Sequence, residues 1–344
     1  VPIAIERSPL VPPVADLRER RTRRGSFADR GKQLEIGLVN AMPDSAVAAT
    51  QRQFARLIEE ASGEFDVRLR LFDLETLPRA REARRAMAED YRASRALKVQ
   101  PHDAIIVTGA EPRAPDLRAE PFWSEFAAVL DWADAHAIST LLSCLAAHAG
   151  VLHRDGVVRR ALPAKLSGVY SVRVVAPHDL VADFDAEFLT PHSRHNDLDE
   201  AELAAKGYSI LARSAESGVD LFVKEARSLM VFLQGHPEYD ADTLAREYRR
   251  DMLRFLRGEA PAAPRVPAHY FPPPIAAAAA DFAARAASAP SAELAAAFPG
   301  EALALHRAPW RAAGVRIFGA WLALIARRKA ALSATSFAVA RWGG

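Results

Sequence analysis

The chain has 344 residues, 50% of them hydrophobic and 26% charged, enough for one large α/β core with appendages or for two small domains. Its formal charge of +2 is too small to argue for a nucleic-acid or anionic-membrane partner. No run of about 18 uncharged apolar residues occurs, and residues 1–10 carry Glu6 and Arg7 where a signal peptide would have its apolar core, so a cytoplasmic protein is expected.

Residues 1–32 hold four prolines and a basic run at 18–24, the composition of an irregular N-terminal arm with a solvated charged face. Regular structure is expected to start at residue 34. The apolar run 34–40 closes at Met42-Pro43-Asp44 and suits a buried strand. A helical pattern follows over 50–61, then an alternating strand at 67–72 and a charged helix over 77–97. Residues 104–109 form the best central-strand candidate, 122–137 show apolar residues at helical spacing, and 138–143 return to strand. This alternation predicts an α/β fold with a doubly wound, mostly parallel sheet, in which reactive groups gather at the carboxyl ends of the strands.

Further strands are expected at 168–175, 209–212, 219–223 and 229–233, and a helix over 241–257 capped by Asp240. The catalytic domain is placed at 33–258. Beyond it, 259–344 combine a proline-rich stretch, an alanine-rich stretch at 275–305 that reads as compositional drift, and an apolar helix over 309–329 that packs on the main domain or on a second subunit.

Cys144 is the single cysteine, which excludes an internal disulfide and a Cys-rich metal centre. It ends the 138–143 strand where a helix begins, a position that favours thiolate and offers backbone N–H groups to an oxyanion. Glycines usually stand two residues either side of a nucleophile at such an elbow; here Leu142 and Ala146 do. On local sequence alone, core filler and nucleophile explain the thiol equally well. His148, four residues along the same helix, is expected to pack against the sheet. A base and its orienter are available elsewhere: His236 and Glu238 lie two residues apart after the 229–233 strand, with Pro237 stiffening the link. No metal is expected, since the histidines are scattered and 192–195 read as a basic loop.

With these parts in place, the sequence resembles the homoserine O-succinyltransferase and O-acetyltransferase family, whose fold is similar to class I glutamine amidotransferases. The carrying residues are Asn40-Ala41-Met42-Pro43, Val107-Thr108-Gly109-Ala110, Ser139-Thr140-Leu141 before Cys144, 165–170, 188–194, 235–240, Tyr270-Phe271-Pro272 and Trp310-Arg311. The resemblance implies ping-pong acyl transfer: Cys144 takes the acyl group of an acyl-CoA, and His236, oriented by Glu238, activates the hydroxyl of L-homoserine, in methionine biosynthesis. It also implies that Lys165, Ser193 and Arg250 hold the amino acid, that no cofactor beyond the cosubstrate succinyl-CoA or acetyl-CoA is needed, and that the protein is a homodimer, for which the apolar C-terminal helix offers a surface.

Three places depart from the family pattern: Asp44 stands where a lysine is usual, Leu145 follows the nucleophile, and Glu111-Pro112 interrupt the loop after Ala110. Arg113 corresponds to the position where the family uses a small residue for succinyl-CoA and an acid for acetyl-CoA. An arginine there would pair with a succinyl carboxylate, which favours succinyl transfer over acetyl transfer. A glutamine amidotransferase and a non-catalytic paralogue are the competing expectations.

Overall fold

A computed structural model describes residues 4–6, 32–184, 186–300 and 307–342. Its strands are β1 (Ala4–Glu6), β2 (Gln33–Val39), β3 (Asp66–Asp73), β4 (Tyr91–Ala93), β5 (Ala104–Val107), β6 (Ser139–Ser143), β7 (Arg160–Val174), β8 (Glu187–Asp197), β9 (Ser209–Ser214), β10 (Gly218–Glu225) and β11 (Leu229–Leu233). They make one sheet in the order 1-3-2-5-6-11-10-9-7-8, with β4 added on β3. Pairing is parallel from β1 as far as β11 and antiparallel from β11 to β8. Every residue of β5, β6 and β11 is buried, as befits central strands covered on both faces.

The helices are α1 (Val47–Ala61), α2 (Arg81–Met87), α3 (Trp123–His136), α4 (Leu145–Asp155), α5 (Glu200–Ala205), α6 (Thr243–Leu256), α7 (Pro273–Ser288), α8 (Ala292–Ala296) and α9 (Arg311–Trp342). Alternate strand residues feed the two faces. Ile106, Leu141 and Val231 pack with Phe54 and Leu57 of α1 and with Phe318, Trp321 and Ile325 of α9. Ile105, Leu142 and Phe232 pack with Phe126 and Leu130 of α3 and Ala147 of α4. The doubly wound, mostly parallel sheet expected from the sequence is therefore present.

Several local expectations are corrected. The arm contributes β1, which pairs in parallel with β3 through Ile5 and Leu69; its basic run at 18–24 lies outside the described residues. The charged helix over 77–97 is broken into α2, β4 and a 3-10 turn. Long-range contacts impose the break: the fully buried Arg79 guanidinium holds Asp73 and Asp44 and the carbonyls of Asn40 and Met42, while Asn40 donates to the Tyr91 hydroxyl at 2.8 Å. Asp240 does not cap α6, which starts at Thr243; Asp240 pairs with Arg56 at 2.8 Å instead. Residues 192–195 are not a loop but the middle of β8, with His192 and Arg194 buried.

The described residues after 258 form regular structure that packs on the rest of the protein. The alanine-rich stretch forms α7 and α8, and Ala279, Phe282 and Ala286 join Leu244, Tyr248 and Met252 of α6 in a third apolar cluster. α9 spends its apolar stripe on the main sheet, where the Trp321 indole donates to Ser139 Oγ at 2.9 Å, so that stripe is not the dimer surface the sequence offered. No helix among the described residues is long and apolar enough to cross a membrane.

Candidate active site

β6 and β11 run side by side in register, with Ser143 opposite Leu233. The two segments that follow them therefore leave the sheet together. Cys144 takes φ 52°, ψ −112°, a conformation that costs an L-residue strain, and it is held on both sides. Its N–H donates to Leu233 O at 2.7 Å, and its carbonyl accepts from Ala147 N at 2.9 Å. The half-buried thiol thus stands at the N-terminus of α4, where the first N–H groups have no intrahelical acceptor. Leu142 is accommodated in place of the usual glycine because α4 supplies one: a Cβ on Gly150 would lie 2.5 Å from Leu142 Cδ1.

Across the strand pair, His236 Nδ1 lies 2.8 Å from Glu238 Oε1, and its Nε2 is buried with no oxygen or nitrogen partner among the described residues. The Cys144 side chain is among the groups that act on this ring. Burial alone would lower the basicity of His236; its electrostatic and hydrogen-bond interactions with Cys144 and Glu238 outweigh it and hold the imidazole well above its ordinary value. The loop is braced from several directions. His236 N–H donates to Pro191 O at 2.8 Å, Tyr239 stacks on the ring at 4.2 Å between centroids, and Trp310 Nε1 donates to Tyr239 O at 3.0 Å. Gly235 is required here, since a Cβ would lie 2.1 Å from Thr190 Cγ2 and 2.5 Å from Asp220 Oδ1. Behind it His192 Nε2 lies 3.0 Å from Asp220 Oδ1, both buried.

Next to His236 a second group of charges gathers. Lys165 leaves β7 where the ladder with β8 shifts register between Ala161 and Leu166. Its Nζ lies 3.3 Å from Glu247 Oε2 and 2.8 Å from Asp251 Oδ2. The Ser193 hydroxyl donates to the same Glu247 oxygen, and Tyr239 OH donates to the other at 2.9 Å. Arg250 pairs with Asp251 at 2.8 Å. Burial pushes the Glu247 carboxyl up, but Lys165, Ser193 and Arg250 outweigh it and hold it below its usual range.

The structure therefore brings Cys144, His236 and Glu238 together, and Lys165, Ser193 and Arg250 beside them. Tyr239, part of the 235–240 run but given no role by the sequence, joins the site, and so does Glu247, which no motif marks. The available signal is helical spacing, because Glu247, Arg250 and Asp251 stand at i, i+3 and i+4 on one face of α6. Arg113 is exposed in the loop after β5, and its backbone N–H, with that of Ala114, is bound by Glu120 Oε1. His148 is buried against the sheet as expected, 2.6 Å from Gln234 Oε1, and burial depresses it to about 3, which leaves it neutral and removes it as a competing base.

A thiol at a strained strand-to-helix elbow, facing an imidazole and its carboxylate, defines an α/β protein of the cysteine–histidine–glutamate class. The homoserine O-succinyltransferase family model matches residues 20–331, and the chain belongs to that family. It is 51% identical over 87% of its length to a homoserine O-succinyltransferase of Methylorubrum extorquens, covering 89% of that protein. It is 44% identical over 86% of its length to one of Bradyrhizobium japonicum, covering 90%. Among solved structures, a glutamine amido transferase from Methylobacillus flagellatus aligns over 85% of this chain and 95% of its own at 13% identity, with a TM-score of 0.47.

Proposed function

We propose that this protein transfers a succinyl group from succinyl-CoA to the hydroxyl of L-homoserine through an acyl-cysteine. The observation that carries this reading is the convergence of Cys144 and the His236–Glu238 pair at the ends of two adjacent parallel strands. The Cys144 sulfur attacks the thioester carbonyl, the leaving CoA sulfur takes a proton from His236, and the acyl group stays on Cys144. The Leu145 N–H, at the first position of α4, is the donor this reading assigns to the developing oxyanion. Acylation removes the Cys144 negative charge, one of the two that raise His236. The imidazole then becomes a better match for a neutral base. It takes the homoserine hydroxyl proton, the oxygen attacks the acyl-cysteine, and the Cys144 sulfur leaves.

The cluster beside His236 suits the amino-acid end of the acceptor. Arg250 and Lys165 provide cations for an α-carboxylate, and Glu247 provides a buried anion for an α-ammonium. Tyr239 joins the two parts, stacking on His236 and donating to Glu247. The polyanionic tail of CoA has a matching surface on the outer face of α6. There Arg246, Arg249, Arg254 and Arg257 line a groove of about 370 Å³, and Arg254 lies 3.3 Å from Glu111 in the loop that carries Arg113.

Intact-mass measurement tests the reading. Succinyl-CoA should leave a succinyl adduct on the wild-type protein, L-homoserine should discharge it, and Cys144→Ala should acquire none. An adduct on Cys144→Ala, or one that homoserine leaves in place, would refute it.

A further inference from the structure

One cation near the elbow belongs to neither the catalytic set nor the acceptor cluster. Arg159 follows α4, where Gly156 in the left-handed conformation (φ 72°) reverses the chain and Val157 N–H donates to Val151 O at 3.2 Å. Its guanidinium is half-buried, and the only hydrogen bond it makes among the described residues is a long one, from Nη2 to Pro115 O at 3.4 Å. The other terminal nitrogen, Nη1, is buried from solvent and has no partner among the described residues, a state that costs stability unless a ligand relieves it.

The acidic groups that act on Arg159 are Glu120, Cys144 and Asp116. Both carboxylates are engaged elsewhere. Glu120 Oε1 binds the N–H groups of Arg113 and Ala114, and Asp116 binds the Arg118 backbone and guanidinium. What remains is an unsatisfied guanidinium arm in the neighbourhood of the nucleophile, on the side of the 109–116 loop, where its other arm meets Pro115 O. A Cβ built on Gly109 would lie 3.2 Å from Leu145 N, so that loop runs along the elbow itself.

A succinyl group on Cys144 ends in a carboxylate two methylenes beyond the thioester carbonyl; an acetyl group ends in a methyl. We propose that Arg159 is the donor-specificity residue, its Nη1 receiving the terminal carboxylate of the succinyl group carried by Cys144. This rests on the acyl-cysteine reading above and sharpens it. Arg113, exposed and tied down through its backbone, stays on the rim, while the charge that decides between a dicarboxylic and a neutral acyl group comes from the C-terminal side of α4. Desolvation adds to the selectivity, because an acetyl group would leave Nη1 unpaired.

The test compares CoA release and adduct formation from succinyl-CoA and acetyl-CoA for wild type, Arg159→Gln, Arg159→Lys and Arg113→Gln. Loss of a charge-assisted hydrogen bond should lower the succinyl-to-acetyl ratio of kcat/KM by about 10- to 100-fold in Arg159→Gln. Arg159→Lys, which keeps the charge and loses the fork, should fall between it and wild type, and Arg113→Gln should change the ratio less than threefold. Iodoacetamide labelling of Cys144 at the wild-type rate reports an intact elbow. If Arg159→Gln fails that control, Arg159→Lys decides, and an unchanged ratio there overturns the proposal. Equal loss with both donors in a protein that labels normally would mean that Arg159 does not distinguish the two acyl groups, and it too overturns the proposal, as does a ratio that follows Arg113. A wild-type protein acylated by neither donor overturns the acyl-cysteine reading itself, which separates the two failures.

Discussion

Replacing Cys144 by glycine should make the protein more stable than replacing it by alanine. Both substitutions remove the thiol and its influence on His236, so the difference between them isolates the Cβ at φ 52°, ψ −112°. Holding an L-residue there costs about 1–3 kcal/mol. Glycine escapes that strain but gives the unfolded chain about 0.4–1 kcal/mol of extra conformational freedom. The net is about 1 kcal/mol in favour of glycine, against the usual order in which alanine wins. Urea denaturation measures it: with an m-value of about 3 kcal/mol/M or somewhat more for a chain of this size, the glycine midpoint should lie roughly 0.3 M higher. The result should not depend on substrate, because the backbone of Cys144 is fixed by Leu233 O on one side and by the first turn of α4 on the other. A Cys144→Ala protein as stable as Cys144→Gly, or more stable, would refute the strained elbow and the hydrogen bonds said to enforce it.

The raised His236 contributes stability that is complete below its unfolded value of 6.5 and is lost as pH rises through its folded value; the gap in urea midpoint between wild type and Glu238→Gln should therefore shrink from pH 6 to pH 9. His148 has the opposite sign. Depressed to about 3 by burial, it costs up to about 1.4 kcal/mol per pH unit as pH falls below 6.5, so His148→Gln should flatten the acid limb of the stability curve. Glu247→Gln should raise KM for homoserine by about 10- to 100-fold with little change in the rate of Cys144 acylation, as stopped-flow CoA release would record. Arg249→Glu with Arg257→Glu should raise KM for succinyl-CoA and leave kcat near wild type, with a smaller salt dependence of KM than wild type; an unchanged KM would clear the arginine face of any part in CoA binding.

The strands nearest the site were the most legible part of the chain, because 104–107, 139–143 and 229–233 are apolar runs of strand length bounded by turn residues, and such runs are stable only inside a sheet. Cys144 could be placed at a strand-to-helix junction for the same reason. Local patterns failed where a distant partner overrode them. Arg79 and Tyr91 break a helix that 77–97 would form alone, and β8 was unreadable as a strand because His192 and Arg194 are buried there by contacts with Asp220 and Ser217. The alanine-rich stretch has too few large side chains to announce its packing, yet it covers α6.

By itself, then, the sequence determined the fold class, the single thiol, and the His236–Glu238 spacing, since these depend on neighbours along the chain and on residue chemistry. Only the tertiary structure decided that Glu247 joins Lys165 and Ser193, that Trp310 braces the His236 loop, and that Arg159 returns from the far end of α4 with one nitrogen unpaired among the described residues. Each is a meeting between segments far apart in the chain, and whether a buried charge is satisfied or waiting for a ligand depends on all of its neighbours at once.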